Sequence, residues 1–210
     1  MTSRKRNRMK GFDYSSNNLY FITNCVKNNV CCFGNVISVA PVGTGRDLSV
    51  HSENHHSENH HSENHHSENH HSENHHPENH HSENHSQNIA MQLNQFGAIV
   101  KNQIEWLMVQ YPYIDIHNFV IMPNHFHLIL EIDSLRCIDK NIKIKSVSGL
   151  MGALKTTTSR LIHEASFENF AWHRSFHDHI IRNESEYYHI SNYIDNNPQK
   201  WFQDCFFAQI

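Results

Sequence analysis

The sequence predicts an α+β fold: an antiparallel sheet of about four or five strands with helices packed on it. Three observations predict it. Residues 119–131 read FVIMPNHFHLILE, two apolar runs flanking a Pro-Asn pair, which is the pattern of a tight β-hairpin. Residues 89–111 carry apolar side chains at alternating three- and four-residue spacings, the period of a helix with one buried stripe, and 147–164 read as a second helix with an inward apolar face. A third helix is announced by Asn183 followed three residues later by Glu186, a capping-box arrangement. With 210 residues the chain makes a single domain, 1–210, carrying one insertion at 46–88.

In chain order, Arg4, Lys5, Arg6, Arg8 and Lys10 form a basic arm, read either as a solvated terminus or as a phosphate contact. Residues 19–25 (LYFITNC) are rich in β-formers and give a first strand, with a shorter one at 36–39. Gly43-Thr-Gly45 then opens a loop. From 51 to 85 the unit HSENH occurs seven times, with Pro77 once replacing serine. This tract has nothing apolar to bury, so it is expected to be disordered. It reads as a tandem expansion in a tolerant loop, with metal binding by a His-rich tract as the functional alternative. The first helix then shows Leu93, Phe96, Val100, Ile104, Leu107 and Tyr111 on its stripe. Strands at 114–122 and 125–132 form the hairpin, and a polar link with Lys140, Lys143 and Lys145 leads to the second helix. Its inward positions are Val147, Leu150, Met151, Leu154, Leu161 and Ile162, while Lys155 and Arg160 on the exposed side suit phosphates or simply water. A strand at 176–181 and the capped helix, ended by Pro198, complete the order.

Charge is misleading if taken over the whole chain. The formal net charge is −4, but the repeat holds 7 of the 21 carboxylates; removing them leaves 14 against 17 Lys and Arg, a balance of +3. A mildly basic domain permits a polyanionic partner. Five cysteines, odd in number and without CxxC spacing, read as reduced thiols of a cytoplasmic protein. No apolar run is long enough for a membrane span.

The chemistry concentrates on the hairpin's second strand. Side chains alternate along a strand, so His125, His127, Ile129 and Glu131 share one face and Phe126, Leu128, Leu130 and Ile132 the other. Two adjacent imidazoles just past a turn are half of a metal site. On the last helix, Tyr187, Ile190 and Ile194 form the apolar stripe and Tyr188 points away from it. Tyr193 and Asn197, four apart, stack along the edge of that stripe. Taken alone, an ordinary boundary residue and a C-terminal cap account for them.

The ordered set HFH after MPN, then WHRSFHDHIIR, then YIDNNP resembles the single-tyrosine HUH transposases, and within them the REP-associated tyrosine transposases. KGFDYSSNNLYFITNCVKNNVCCFGNV and MQLNQFGAIV look like the same group, so the resemblance covers nearly all of the chain outside the repeat. It implies a ferredoxin-like sheet of the HUH endonuclease type. It implies further that His125 and His127 bind a divalent metal, Mg²⁺ or Mn²⁺, that Asn197 completes the metal site, and that Tyr193 is the nucleophile. The implied activity is cleavage and rejoining of single-stranded or hairpin DNA through a 5′-phosphotyrosine, with a homodimer as a permitted assembly. Lys155, Arg160, Arg174 and Arg182 are the candidate DNA contacts. Two-imidazole ligation alone would also permit zinc. His177 and His179, on one face around Asp178, are a weaker second pair, and His189 lies one turn before Tyr193.

Three other functions compete with this reading. A histidine-triad nucleotide hydrolase needs a third histidine where Ile129 stands. A metal-storage protein explains the repeat and leaves the organised remainder unexplained. A domesticated hairpin-DNA-binding protein that no longer transposes would carry the same residues as an active enzyme, and only a cleavage assay separates them.

Overall fold

The computed structural model describes residues 9–39, 88–137, 139 and 141–207. The basic arm up to Arg8 and the HSENH tract lie outside them.

Four strands form the main sheet: β1 (Asn18–Cys25), β4 (Ile114–Met122), β5 (His125–Ile132) and β6 (His177–Ile181), in the order β4-β5-β1-β6. Every neighbouring pair is antiparallel. The helix α1 (Gln95–Gln110) lies between β1 and β4 in the chain, and α2 (Val147–Glu164) between β5 and β6. This order and connectivity are those of the ferredoxin-like split βαβ arrangement.

Alternation along β5 decides what each face of the sheet meets. Phe126, Leu128, Leu130 and Ile132 join Tyr20 and Ile22 of β1 against Val100, Ile104 and Leu107 of α1 and Leu150, Met151, Leu154 and Ile162 of α2. On the opposite face Ile129 packs with Ile181 and with Ile190 and Ile194 of α3 (Glu184–Asp195). The single apolar patch under α3 leaves room on the same face for the histidines at the other end of β5.

The first helix begins later than its periodicity suggests. Residues 88–93 form β3 (Asn88–Leu93), which pairs with β2 (Gly34–Val39) in a separate two-stranded ribbon. Ile89, Met91 and Leu93 alternate as well as they match a helical stripe, and the backbone partner on β2 selects the strand. Asn94 then caps α1, its Oδ1 accepting the Phe96 and Gly97 N–H groups. Gly97 is packed against the turn before β2: a Cβ there would stand 2.2 Å from the Phe33 carbonyl oxygen. In a free helix Gly→Ala gains stability. Here Gly97→Ala is expected to cost about 2 kcal/mol, in the range of overpacked sites, and a denaturant melt checks it.

The last pair of the ribbon is Val39 opposite Asn88, so the insertion begins and ends at one place, and Asn88 belongs to the ribbon. Loop length costs free energy only logarithmically. Replacing 51–85 with a short Gly/Ser linker should therefore leave the circular dichroism spectrum and any DNA cleavage unchanged, while most binding to a nickel column is lost with 14 of the 22 histidines. A large loss of cleavage with native dichroism would give the tract a functional role.

At the start of α3, Asn183 Oδ1 accepts the Glu186 N–H at 2.8 Å. Glu186 does not return the bond to Asn183. One oxygen accepts the Arg182 N–H at 2.8 Å and the other meets His179 Nε2 at 2.6 Å, which ties β6 to the helix.

Candidate metal and nucleophile site

Two strands, α3 and the chain after it build the site. β5 and β1 are paired so that Thr23 lies opposite His127 and Cys25 opposite His125. Both imidazoles are buried, at 0% and 1% exposure, and their Nε2 atoms are 3.1 Å apart. Burial, reinforced at His125 by its neighbour His127, pushes their pKa values down to about 2 and about 3. Both rings are therefore neutral at physiological pH.

Which nitrogen carries the proton follows from Asn124, the second residue of the hairpin bend. Its Nδ2 donates to the Asn29 and Phe206 carbonyls, at 3.0 and 2.7 Å, which fixes the amide orientation. Its Oδ1, an acceptor only, lies 2.9 Å from His125 Nδ1, so that nitrogen is the donor and Nε2 holds a lone pair. Thr23 Oγ1 sits 2.7 Å from His127 Nδ1 and plays the same orienting part. Such bonds to the far nitrogen are what metal-ligating histidines characteristically have.

Tyr193 stands beside this pair. Its hydroxyl is 3.2 Å from His127 Nε2, and the Phe21 ring stacks on His127 while meeting Tyr193 edge-on. The tyrosine is 37% exposed, so one side of the phenol is open to an incoming chain. Burial and then the Asp204 carboxylate raise its pKa, while the Asn197 amide opposes them. Tyr188, by contrast, is 56% exposed and faces away. Asn197 lies just past the end of α3 with a helical backbone, its N–H bonded to the Ile194 carbonyl at 3.2 Å. It is 1% exposed, and its Oδ1 has no hydrogen-bond partner.

The residues fit a divalent cation on two counts. His125 Nε2 turns its lone pair toward His127 Nε2, 3.1 Å away, and the far nitrogens of both neutral rings are held by Asn124 and Thr23, as in metal-ligating histidines. A buried amide oxygen without a donor costs free energy that a cation would recover.

Sequence reasoning missed Asp204. Its Oδ2 lies 3.9 Å from His125 Nε2, and Asp204, His125 and His127 form one cluster of potential ligand atoms. It comes from the chain after α3, where no periodicity or spacing points to it. Glu131, on the same strand face as the histidines, belongs elsewhere: it binds His117 and Arg136 at the far end of the sheet.

Three of the four candidate DNA contacts share a groove. Lys155, Arg160 and Arg174 line a depression of about 710 Å³ between α2 and residues 170–174, with Thr156, Ser159 and His163. Lys155 Nζ donates to the His173 carbonyl at 2.7 Å, and Arg160 pairs with Glu164 at 2.7 Å. Arg182 lines a different depression, with Tyr187 and Tyr188. No described helix is long and apolar enough to cross a membrane, and all five cysteines are free thiols.

No protein-family model matches the chain. An uncharacterized protein of Haemophilus influenzae (strain ATCC 51907 / DSM 11121 / KW20 / Rd) is 28% identical over 214 residues, 96% of this chain and 91% of the other. A solved structure of a REP-associated tyrosine transposase bound to a REP hairpin aligns at 16% identity, with a TM-score of 0.46, over 96% of this chain and 74% of that one.

Proposed function

We propose that the chain is a metal-dependent endonuclease and strand transferase that cuts single-stranded DNA near a hairpin through Tyr193. The observation that carries this reading is the Tyr193 hydroxyl 3.2 Å from a buried, neutral, oriented histidine pair. A phenol with an ordinary pKa of about 10 is a weak nucleophile, and here burial raises that value further. Position must therefore supply the advantage. Phe21 and His127 hold the ring edge-on, with its oxygen turned to the histidine pair.

Tyr193 Oη attacks the phosphorus of a phosphodiester. A P–O bond to tyrosine forms, the bond to the 3′ oxygen breaks, and that oxygen takes up a proton and departs as a 3′-hydroxyl. The phenol proton leaves to solvent on the exposed side. The 5′-phosphotyrosine retains the ester's free energy, so the same residues rejoin the strand to another 3′-hydroxyl without a nucleotide cofactor. His125, His127 and Asn197 would hold a divalent ion, Mg²⁺ or Mn²⁺, which when bound would supply Lewis-acid polarisation of the phosphate. Lys155, Arg160 and Arg174 receive the backbone phosphates in their shared groove, a contribution that weakens with salt.

The test uses oligonucleotides that fold into hairpins with single-stranded flanks, including any palindromes found beside the gene, incubated with the full chain and Mn²⁺. A protein–DNA species that survives denaturant, together with a polymerase-extendable 3′-hydroxyl, is expected. Tight binding to the hairpin with no cut strand would favour the domesticated DNA-binding alternative.

A further inference from the structure

The segment that follows α3 returns over the histidine pair. After Asn197, Pro198–Gln203 form a short 3-10 turn whose Trp201 is buried against His125, ring centroids 6.0 Å apart. The Asp204 N–H closes that turn on the Trp201 carbonyl at 3.0 Å. Phe206 then lays its ring 4.7 Å from the His125 ring, and its carbonyl accepts from Asn124 Nδ2 at 2.7 Å. Asn124 thus does two things with one amide: it orients His125 and it holds this segment down.

Asp204 is fixed within the segment with one oxygen turned to the histidines. Oδ1 accepts the Phe206 N–H at 2.8 Å, while Oδ2 is aimed at the histidines, 3.9 Å from His125 Nε2. The side chain is only 6% exposed. His125 Nε2 already holds a lone pair, because its Nδ1 is the donor, so it has no proton to offer the carboxylate. One potential ligand atom from each of Asp204, His125 and His127 lies within 4.8 Å of the other two. A lone pair and a carboxylate oxygen that face each other at this depth call for a positive centre.

We propose that the chain after α3 supplies a carboxylate ligand to the cation site, Asp204, which joins His125 and His127 there. The inference rests on the reading of the histidine pair as a metal site. It deepens that reading in two respects. Two imidazoles alone suit zinc or copper as readily as harder ions, whereas an added carboxylate oxygen shifts the set toward Mn²⁺ and Mg²⁺. Ligation through Asp204 also makes the 198–207 segment and the cation bind as one unit: the ion fastens the segment, and the segment completes the site.

The test titrates the full chain with Mn²⁺ and follows tryptophan fluorescence, which the ion quenches at short range. Trp201 beside His125 is the reporter, and Trp201→Phe should remove the saturable quench, separating this site from binding by the histidine repeat. Asp204→Asn should raise the Mn²⁺ midpoint by at least about tenfold, since even the loss of an outer partner of a ligand has effects of that size. Asp204→Glu should recover part of it, and Asn197→Ala should shift the midpoint less than Asp204→Asn does. Mn²⁺ should also slow tryptic cleavage after Lys200 in the wild type and not in Asp204→Asn. A wild-type midpoint and wild-type protection in Asp204→Asn would overturn the proposal while leaving the histidine pair as the site. A midpoint unmoved by His125→Ala would overturn the metal site itself.

Discussion

Tyr193→Phe is expected to fold normally, bind hairpin DNA and form no covalent adduct at all. The substitution removes one oxygen from a ring that keeps its contacts with Phe21 and His127. The lost bond to His127 Nε2 is worth about 1 kcal/mol of stability at most, so the melting curve should barely move. Catalysis should fall below detection, because the departing atom is the proposed nucleophile. Tyr188→Phe is the matched control: its ring is mostly exposed, and cleavage should stay within about twofold of wild type, the span of ordinary surface changes. A denaturant-stable adduct formed by Tyr193→Phe would remove the assignment.

His125→Ala and His127→Ala should each abolish cleavage and leave most DNA affinity, which comes chiefly from phosphate contacts. Excess EDTA should reproduce the loss in the wild type, and full cleavage in EDTA would defeat the idea. The pair also gives the metal-free fold a pH signature. Folded-state pKa values of about 2 and about 3 lie below the unfolded value of about 6.5. The unfolded chain therefore takes up protons that the folded chain refuses as pH falls below about 6.5, and stability declines with pH in that window. Above it the contribution is fully present. Either alanine variant should flatten the decline, which denaturant melts at pH 7 and pH 5 would register.

The fold class was legible because its signals are local. The hairpin at 114–132 follows from two apolar runs and a Pro-Asn bend, and the helix Val147–Glu164 from its stripe, with the bounds the periodicity gives. Residues 88–93 were not legible, since a six-residue apolar pattern fits both periods and only the distant β2 partner decides. The histidine pair and Tyr193 could be read from strand alternation, helix spacing and the ordered motifs. Their orientation could not: it depends on Thr23 opposite His127 and on Asn124, whose sequence signal is a turn. Asp204 needed the return of the chain after Pro198, a long-range event with no local pattern. Of the basic side chains, Lys155, Arg160 and Arg174 came together, and Arg182 did not, because Glu186 holds its backbone at the start of α3.

The β2–β3 ribbon has a consequence at the level of the gene. A pentapeptide unit is gained or lost in whole codons when a copying polymerase slips, so the reading frame beyond it survives. Val39 and Asn88 hold the two points of entry and exit as a fixed pair whatever lies between them. Each added copy would therefore enter and leave at the same pair of residues, whose register in the ribbon does not depend on the number of copies. The number of copies is left to replication rather than to the fold.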